Sequence, residues 1–419
     1  MLKKINNIRV MLFWLTIFNF TPFTFSQAYP SLFGKHVFVG LVLVLILDLL
    51  INQKIKFNRY ILFISVPVII YQFILFYVHD DSSYVGFLFA LIMTYIIFCY
   101  GLTFIGLSRM ANSFIYIMMT MLALSVIGSF LALIGILEPF STFSNPDGRV
   151  AYNYLLTFTN SQTITNGGSF IRAAGFFDEP GALAFFSFYA IVVNELYLKK
   201  NKLTAIIALS TVIATWSMGF VIIISLYFLF IKCRKLSGVV MLLLTIAFLL
   251  MTFSYLKADS SPMSKRVLRL TIDRVVVNDN GSFQGDNRSH LLYRAAEEFA
   301  NNPLIGAGRN GLRDGDYAGA NVMAPFARDG IVGGLLYFSL YIFLVGIVML
   351  KIRVNKGFIS YKEVVLVFLL GVNFLHRPNL DAGFETISML IVIIVLLQRN
   401  KLLHIRNNDE CSKQLTENL

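Results

Sequence analysis

Runs of roughly 20 apolar residues recur from one end of this chain to the other, a length that coiled as a helix matches the hydrocarbon core of a bilayer. Short polar loops separate them. Of the 419 residues 57% are hydrophobic and 14% charged, and no soluble fold needs that much apolar surface. The expected fold class is therefore all-α, a polytopic transmembrane helix bundle with a large, partly helical external loop, forming a single integral membrane domain over residues 1–419. The 40 Phe and 19 Tyr suit lipid-facing and interfacial positions. The first apolar run follows a short basic segment (Lys3, Lys4, Arg9) without a convincing small-residue cleavage site, so it reads as a retained span rather than a signal peptide.

The runs are Val10–Ser26, Val37–Ile51, Tyr60–Val78, Tyr84–Leu107, Phe114–Leu137, Glu179–Leu198, Leu203–Thr215, Ser217–Ile231, Gly238–Leu256, Pro325–Leu350, Val364–Leu375 and Phe384–Leu397. That makes about twelve spans. Leu203–Ile231 is long for one pass and short for two. Lys199, Lys200 and Lys202 precede it, while Lys232, Arg234 and Lys235 follow it, which puts both ends on one side. The stretch is therefore expected to turn back near Trp216-Ser217. With that turn the basic clusters fall on alternate loops, both termini are expected in the cytoplasm, and Glu138–Asp178 and Lys257–Asn321 lie outside. The net charge of +12 is spread over these short loops, so it speaks for topology and not for nucleic acid.

The largest polar stretch holds Asn287–Gly311, read as a helix closed by Asn301-Asn302-Pro303 and followed by a glycine-rich turn with Arg309. Arg288 falls on the apolar face of that helix with no acidic neighbour in sequence and is a candidate to meet an anion. Arg294 has Glu297 and Glu298 three and four residues on, so a surface ion pair accounts for it equally well. A second candidate is Arg172–Ala184, where Asp178 is expected to cap a helix with Glu179 and Pro180 in its first turn, leaving Arg172 unexplained. A third is Ala324–Gly334, with Arg328 and Asp329 near the membrane interface. Neighbours in sequence do not face each other on a helix, so separate partners are expected for these two. A fourth is His376-Arg377-Pro378-Asn379 with Asp381 in a short external loop, whereas His79-Asp80-Asp81 reads as an ordinary loop. Tyr152–Gly175, rich in Tyr, Asn, Thr and Gln, suits sugar contacts and ordinary loops alike.

The sequence has no GxxxxGK[ST], no H-E-x-x-H and no G-x-S-x-G, and the spacing of Cys99, Cys233 and Cys411 offers neither a metal site nor a disulfide framework. What remains is arginine-rich and external. Arginine stays charged and binds phosphate through two parallel hydrogen bonds. The chemistry that fits is stabilisation of a lipid diphosphate as it leaves, with no cofactor.

Three features together resemble the bacterial O-antigen polymerase and O-antigen ligase superfamily. They are Arg172…Gly175…Glu179-Pro180-Gly181 leading into a span, Arg288 ahead of Asn302-Pro303-Leu304-Ile305-Gly306-Ala307-Gly308, and Asp329-Gly330-Ile331-Val332-Gly333-Gly334 entering the next span. The resemblance covers the whole chain. Ligases carry a histidine-asparagine pair at the end of the large loop; here that region reads Gly319-Ala320-Asn321, which favours the polymerases. The resemblance implies a GT-C-like fold and an inverting, metal-independent glycosyltransferase of the bacterial inner membrane. Its active-site face would be built by periplasmic residues 139–178 and 257–324. It would join undecaprenyl-diphosphate-linked oligosaccharide repeats into polysaccharide, with membrane lipid, a chain-length regulator and a flippase of the same pathway as partners. Arg172, Arg288, Arg328, Arg309 and Arg294 would hold diphosphate, and Asp178, Glu179 or Asp329 would act on the acceptor hydroxyl. A ligase and a lipid-linked oligosaccharide flippase remain the alternatives, although a transporter would carry its charges near the middle of spans.

Overall fold

The computed structural model describes residues 2–52, 59–145, 148–165, 167–233, 251, 254, 255, 257–259, 261, 264, 265, 268, 289–314, 321–354, 361–376 and 382–398. It is mostly helical. In chain order the helices are α1 (Leu2–Ile17), α2 (Phe25–Ala28), α3 (Pro30–Phe33), α4 (Lys35–Asn52), α5 (Arg59–His79), α6 (Ser83–Tyr100), α7 (Leu107–Leu133), α8 (Pro180–Val193), α9 (Asn201–Thr215), α10 (Met218–Tyr227), α11 (Ser289–Asn301), α12 (Gly308–Asp314), α13 (Ala324–Tyr337), α14 (Ser339–Val354), α15 (Tyr361–His376) and α16 (Phe384–Gln398). Six helical stretches among the described residues are long and apolar enough to cross a membrane: Pro30–Asn52, Ile61–His79, Ser83–Ile105, Leu107–Leu133, Pro180–Leu198 and Ala324–Ile352. Shorter apolar helices cover Ile5–Ile17, Asn201–Thr215, Met218–Lys232 and Phe384–Gln398. The expected span at Gly238–Leu256 lies almost wholly outside the described residues.

The stretch Leu203–Ile231 does turn at Trp216-Ser217. Trp216 is left-handed (φ 49), its amide closes α9 on the carbonyl of Val212, and α10 restarts at Met218. The other ends of the pair come back together, since Lys232 Nζ lies 2.9 Å from Asn201 Oδ1. The chain thus returns to the side it left, as the lysines on both flanks require.

α8 is apolar on every face, as is α16 beyond Glu385, Thr386 and Ser388 in its first turns, and both are buried along almost their whole length, the condition under which such a helix is stable. Phe23, Phe177, Phe186 and Phe384 join them at one end, with ring centroids 4.6–5.1 Å apart for the tightest pairs. At the other end buried charges are paired. Arg9 donates to both Asp48 oxygens at 2.8 and 2.7 Å, with the Tyr100 hydroxyl 2.9 Å away. Glu195 meets Lys362, Lys232 and Thr204, and Lys351 meets Glu363 at 3.1 Å. Asp48 and Glu195, charges within apolar runs, are therefore neutralised where helix ends gather.

The all-α expectation is corrected between α7 and α8. Here β1 (Ser141–Ser144), β2 (Val150–Asn153) and β3 (Phe158–Thr159) form an antiparallel sheet, and β4 (Gln162–Thr165) pairs with β5 (Gly168–Ile171) as a hairpin. The run is rich in Thr, Tyr, Phe and Ile, residues that fit a pleated surface better than a helix. The hairpin turn packs on the last turn of α7, where a side chain on Gly135 or Gly168 would collide with backbone.

Candidate functional site

Two glycine-bearing segments cross at one end of the bundle. α11 stops at Asn301, as Pro303 demands, and the chain turns through Gly306 (φ 69) and Gly308 (φ 78) into α12. α13 is interrupted at Gly330 (φ 69, ψ −173). A Cβ on Gly330 would collide with the Leu304 carbonyl, and one on Gly306 with the Arg328 carbonyl, so the two backbones touch only because both positions are glycine. The amides of Ala307 and Ile331 stitch the crossing by donating to the carbonyls of Ala327 and Pro303, each at 2.8 Å.

This crossing brings Arg309, Arg328 and Asp329 together. Asp329 is fully buried. Its Oδ1 accepts from the Tyr84 hydroxyl at 2.9 Å, and its Oδ2 from Arg328 Nε at 2.9 Å, with Arg328 Nη2 at 2.8 Å and Gln72 Nε2 at 3.4 Å. The expectation of separate partners for Arg328 and Asp329 is thus corrected. The backbone break at Gly330 ends the regular helix directly after Asp329, so the two side chains are not held on diverging faces of a continuous helix. The Arg309 guanidinium lies 3.9 Å from the Phe87 ring centre and 5.2 Å from that of Tyr84. Such stacking contributes on the order of 0.5–2 kcal/mol. A small cleft beside the cluster is lined by Val68, Gln72, Phe87, Arg328, Tyr337 and Thr386.

The loop between α5 and α6 closes the arrangement. Asp81 accepts from the amides of Ser83 at 2.9 Å and Asn310 at 3.2 Å. Burial pushes its carboxyl up, but the Ser83 and Asn310 hydrogen bonds and the Arg309 charge outweigh that and hold it below the usual aspartate value. His79 Nε2 is 3.0 Å from the Ile305 carbonyl. His79-Asp80-Asp81 is therefore a dock for residues 305–310 and not an ordinary loop. Gln72, a polar side chain inside an apolar run, was the legible signal for this neighbourhood; nothing in the sequence separates Tyr84 from the other tyrosines.

A second group surrounds the start of α8. Pro180 occupies the first helical position and forces the residue before it to be extended, so Glu179 (φ −154, ψ 158) takes the cap position, without a side-chain cap bond. This corrects the expectation that Asp178 caps α8. Asp178 instead donates its amide to the Pro22 carbonyl at 3.0 Å, and its own carbonyl accepts from Asn145 and Asn160. Glu179 pairs with Arg149, which the sequence reading missed, at 3.2 Å; the side chains are 14% and 53% exposed. Arg172 reaches the open end of α9, donating Nε to the Thr215 carbonyl at 2.9 Å and Nη2 to that of Trp216 at 3.4 Å. A cation at a helix C-terminus satisfies orphan carbonyls and complements the helix dipole. Arg294 stands exposed on α11, and Arg288 lies outside the described residues.

Among the described residues no group of three or more His, Cys, Asp or Glu side chains is placed to hold a metal ion. No family model and no curated protein matches the chain.

Proposed function

We propose that this chain is a membrane glycosyltransferase of the O-antigen polymerase type, joining undecaprenyl-diphosphate-linked oligosaccharide repeats at the periplasmic face of the inner membrane. The observation that carries the reading is the convergence of Arg309, Arg328 and Asp329 from two successive segments that sequence alone had singled out. In the reaction the acceptor hydroxyl oxygen forms a bond to the anomeric carbon of the carrier-linked sugar. The bond from that carbon to the diphosphate oxygen breaks, the diphosphate leaves with the electron pair, and the hydroxyl proton passes to a carboxylate. Arg328 and Arg309 are the groups we assign to the diphosphate, where fixed positive charge opposes the charge that develops on leaving. Asp329 is enclosed and engaged through both oxygens, so its part is to hold Arg328 in place. The proton-accepting role then falls to Asp178 or Glu179.

The test is reconstitution of the purified chain in vesicles with lipid-linked repeats, a chelator and no nucleotide. A ladder of repeat lengths is expected. Transfer only onto a lipid A core would point to a ligase. Movement of the substrate across the bilayer without a new glycosidic bond would point to a transporter, and either outcome overturns the proposal. Loss of the ladder in chelator, restored by magnesium or manganese, would overturn its metal-independent form.

A further inference from the structure

We infer that the turn at residues 302–306 is a hook inserted into the membrane beside α5 and α13, with Leu304 and Ile305 held against lipid acyl chains. α5 serves as the depth gauge. α5 and α13 lie within stretches long and apolar enough to cross a bilayer. The Tyr71 hydroxyl is 3.4 Å from the Leu304 carbonyl, and Tyr71 lies about two turns before the end of α5, roughly 12 Å along the axis. Helical side chains lean toward the helix N-terminus, here away from the crossing end, so the contact is no shallower than that. From the other side, Gly330, at the kink of α13, packs against the same Leu304 carbonyl. With Ile305 at His79, the last residue of α5, and Leu304 at Tyr71, the turn lies between the end of α5 and that depth.

Irregular backbone at such depth requires its polar groups to be satisfied within the protein. Three of the four carbonyls of this turn are. That of Asn302 accepts from the Gly306 amide at 3.0 Å and that of Pro303 from the Ile331 amide at 2.8 Å. The Tyr71 hydroxyl lies 3.4 Å from that of Leu304 but gives its one hydrogen to the nearer Asp329 carbonyl at 3.0 Å, and that of Ile305 faces His79 Nε2 at 3.0 Å. The side chains show the opposite pattern. Leu304 is 73% and Ile305 43% exposed, and Ile331 and Val332, which follow Gly330 on α13, are exposed as well. The polar end stays above: Asn302 Nδ2 bonds Glu298 Oε1 at 2.7 Å at the close of α11. An amphipathic element lying in the interface has this division, apolar tip down and polar rim up. The hook also fixes the depth of its neighbours, since residues 305–310 lead straight from it to Arg309.

The test uses the full chain with Cys233→Ser and Cys411→Ser, Cys99 being buried. A single Leu304→Cys carries an environment-sensitive fluorophore in phosphatidylcholine–phosphatidylglycerol vesicles, with nitroxide either on the acyl chains or on the headgroup. Ile305→Cys is the second position should Leu304→Cys fail to fold, and Glu297→Cys on the exposed face of α11 is the aqueous reference. At 304 a blue-shifted emission, strong quenching by acyl nitroxide and weak quenching by iodide are expected, with the reverse order at 297. Iodide quenching at 304 equal to that at 297 would put the turn in water. Protection from both quenchers would mean that a second copy or another protein covers it. Either result overturns the inference, and the readout is independent of any glycosyl transfer.

Discussion

Removing the Asp329 charge separates what this residue does for folding from what it does for chemistry. In Asp329→Asn the side chain keeps its shape, and its amide can present the oxygen to Arg328 Nε and the nitrogen to the Tyr84 oxygen, so both hydrogen bonds survive in altered form. What is lost is the neutralisation of Arg328, whose side chain is only 12% exposed. Breaking a buried pair by removing one partner costs about 3–5 kcal/mol, and the surviving bonds put Asp329→Asn near the lower figure. Asp329→Ala also strips the Tyr84 hydroxyl of its acceptor and belongs near the upper one, about 5 kcal/mol. Arg328→Met combined with Asp329→Asn leaves no unpaired charge. It is expected to recover most of the loss, with a coupling of about 2 kcal/mol or more. Unfolding in mixed micelles by an SDS titration, followed through Trp14 and Trp216, gives the four stabilities of the cycle. Additivity within about 0.5 kcal/mol would refute the direct pair. Transferase activity should stay lost in the stable double variant, because Arg328 is then absent from the diphosphate; full activity there would remove both residues from the site.

Gly330→Ala places a side chain at positive φ, costing about 1–2 kcal/mol, and against the Leu304 carbonyl, costing about 1–3 kcal/mol more. Gly346→Ala, which meets nothing within 4 Å, should be neutral or gain about 0.5–1 kcal/mol in the same titration. Asp81 has a folded pKa below its unfolded one. Its contribution is therefore complete above the unfolded value, about 3.9, and is lost as pH falls through the folded value; Asp81→Asn should flatten that acid-side loss of stability. Arg172→Gln should lower stability by about 1–2 kcal/mol by uncapping α9, and unchanged unfolding would exclude the cap. A reporter active only outside the cytoplasm should be active after Ser161 or Gln284 and silent after Lys200, Lys235 or Lys356; activity after Lys235 would remove the two-pass reading of α9 and α10.

Most helical elements were legible because an apolar run is a self-contained signal, although the run Val10–Ser26 is not one helix, α1 ending at Ile17, and the turn at Trp216-Ser217 was legible because lysines bracket a run of ambiguous length. The β-strands between α7 and α8 were not. They are short, and their pairing depends on the close approach of Gly135 and Gly168 to neighbouring backbone, which no local pattern reports. In the site, residue types were legible and partners were not. Arg328 and Asp329 were marked by the cost of charge at an interface, but their contact depends on one backbone angle at Gly330. Arg172 was marked as unexplained, and its explanation lies in carbonyls more than forty positions away.

The glycines of Asn302–Gly308 and Asp329–Gly334 tie these readings together. A glycine next to a charged residue at a span entry could serve ligand approach or backbone approach, and the sequence does not choose between them. At Gly306 and Gly330 the space is taken by backbone, each glycine admitting the carbonyl of the opposite segment. The crossing they allow has two consequences at once. It lets Arg309, carried by one segment, reach the aromatic rings beside Asp329, carried by the other. It also sinks Leu304 to the level of Tyr71, two turns inside α5. A pair of cations held by a buried carboxylate and by ring faces is shielded from water on its protein side. Its field there is screened less than that of a surface arginine, which is the condition under which fixed charge acts most strongly on a phosphate group at the bilayer boundary.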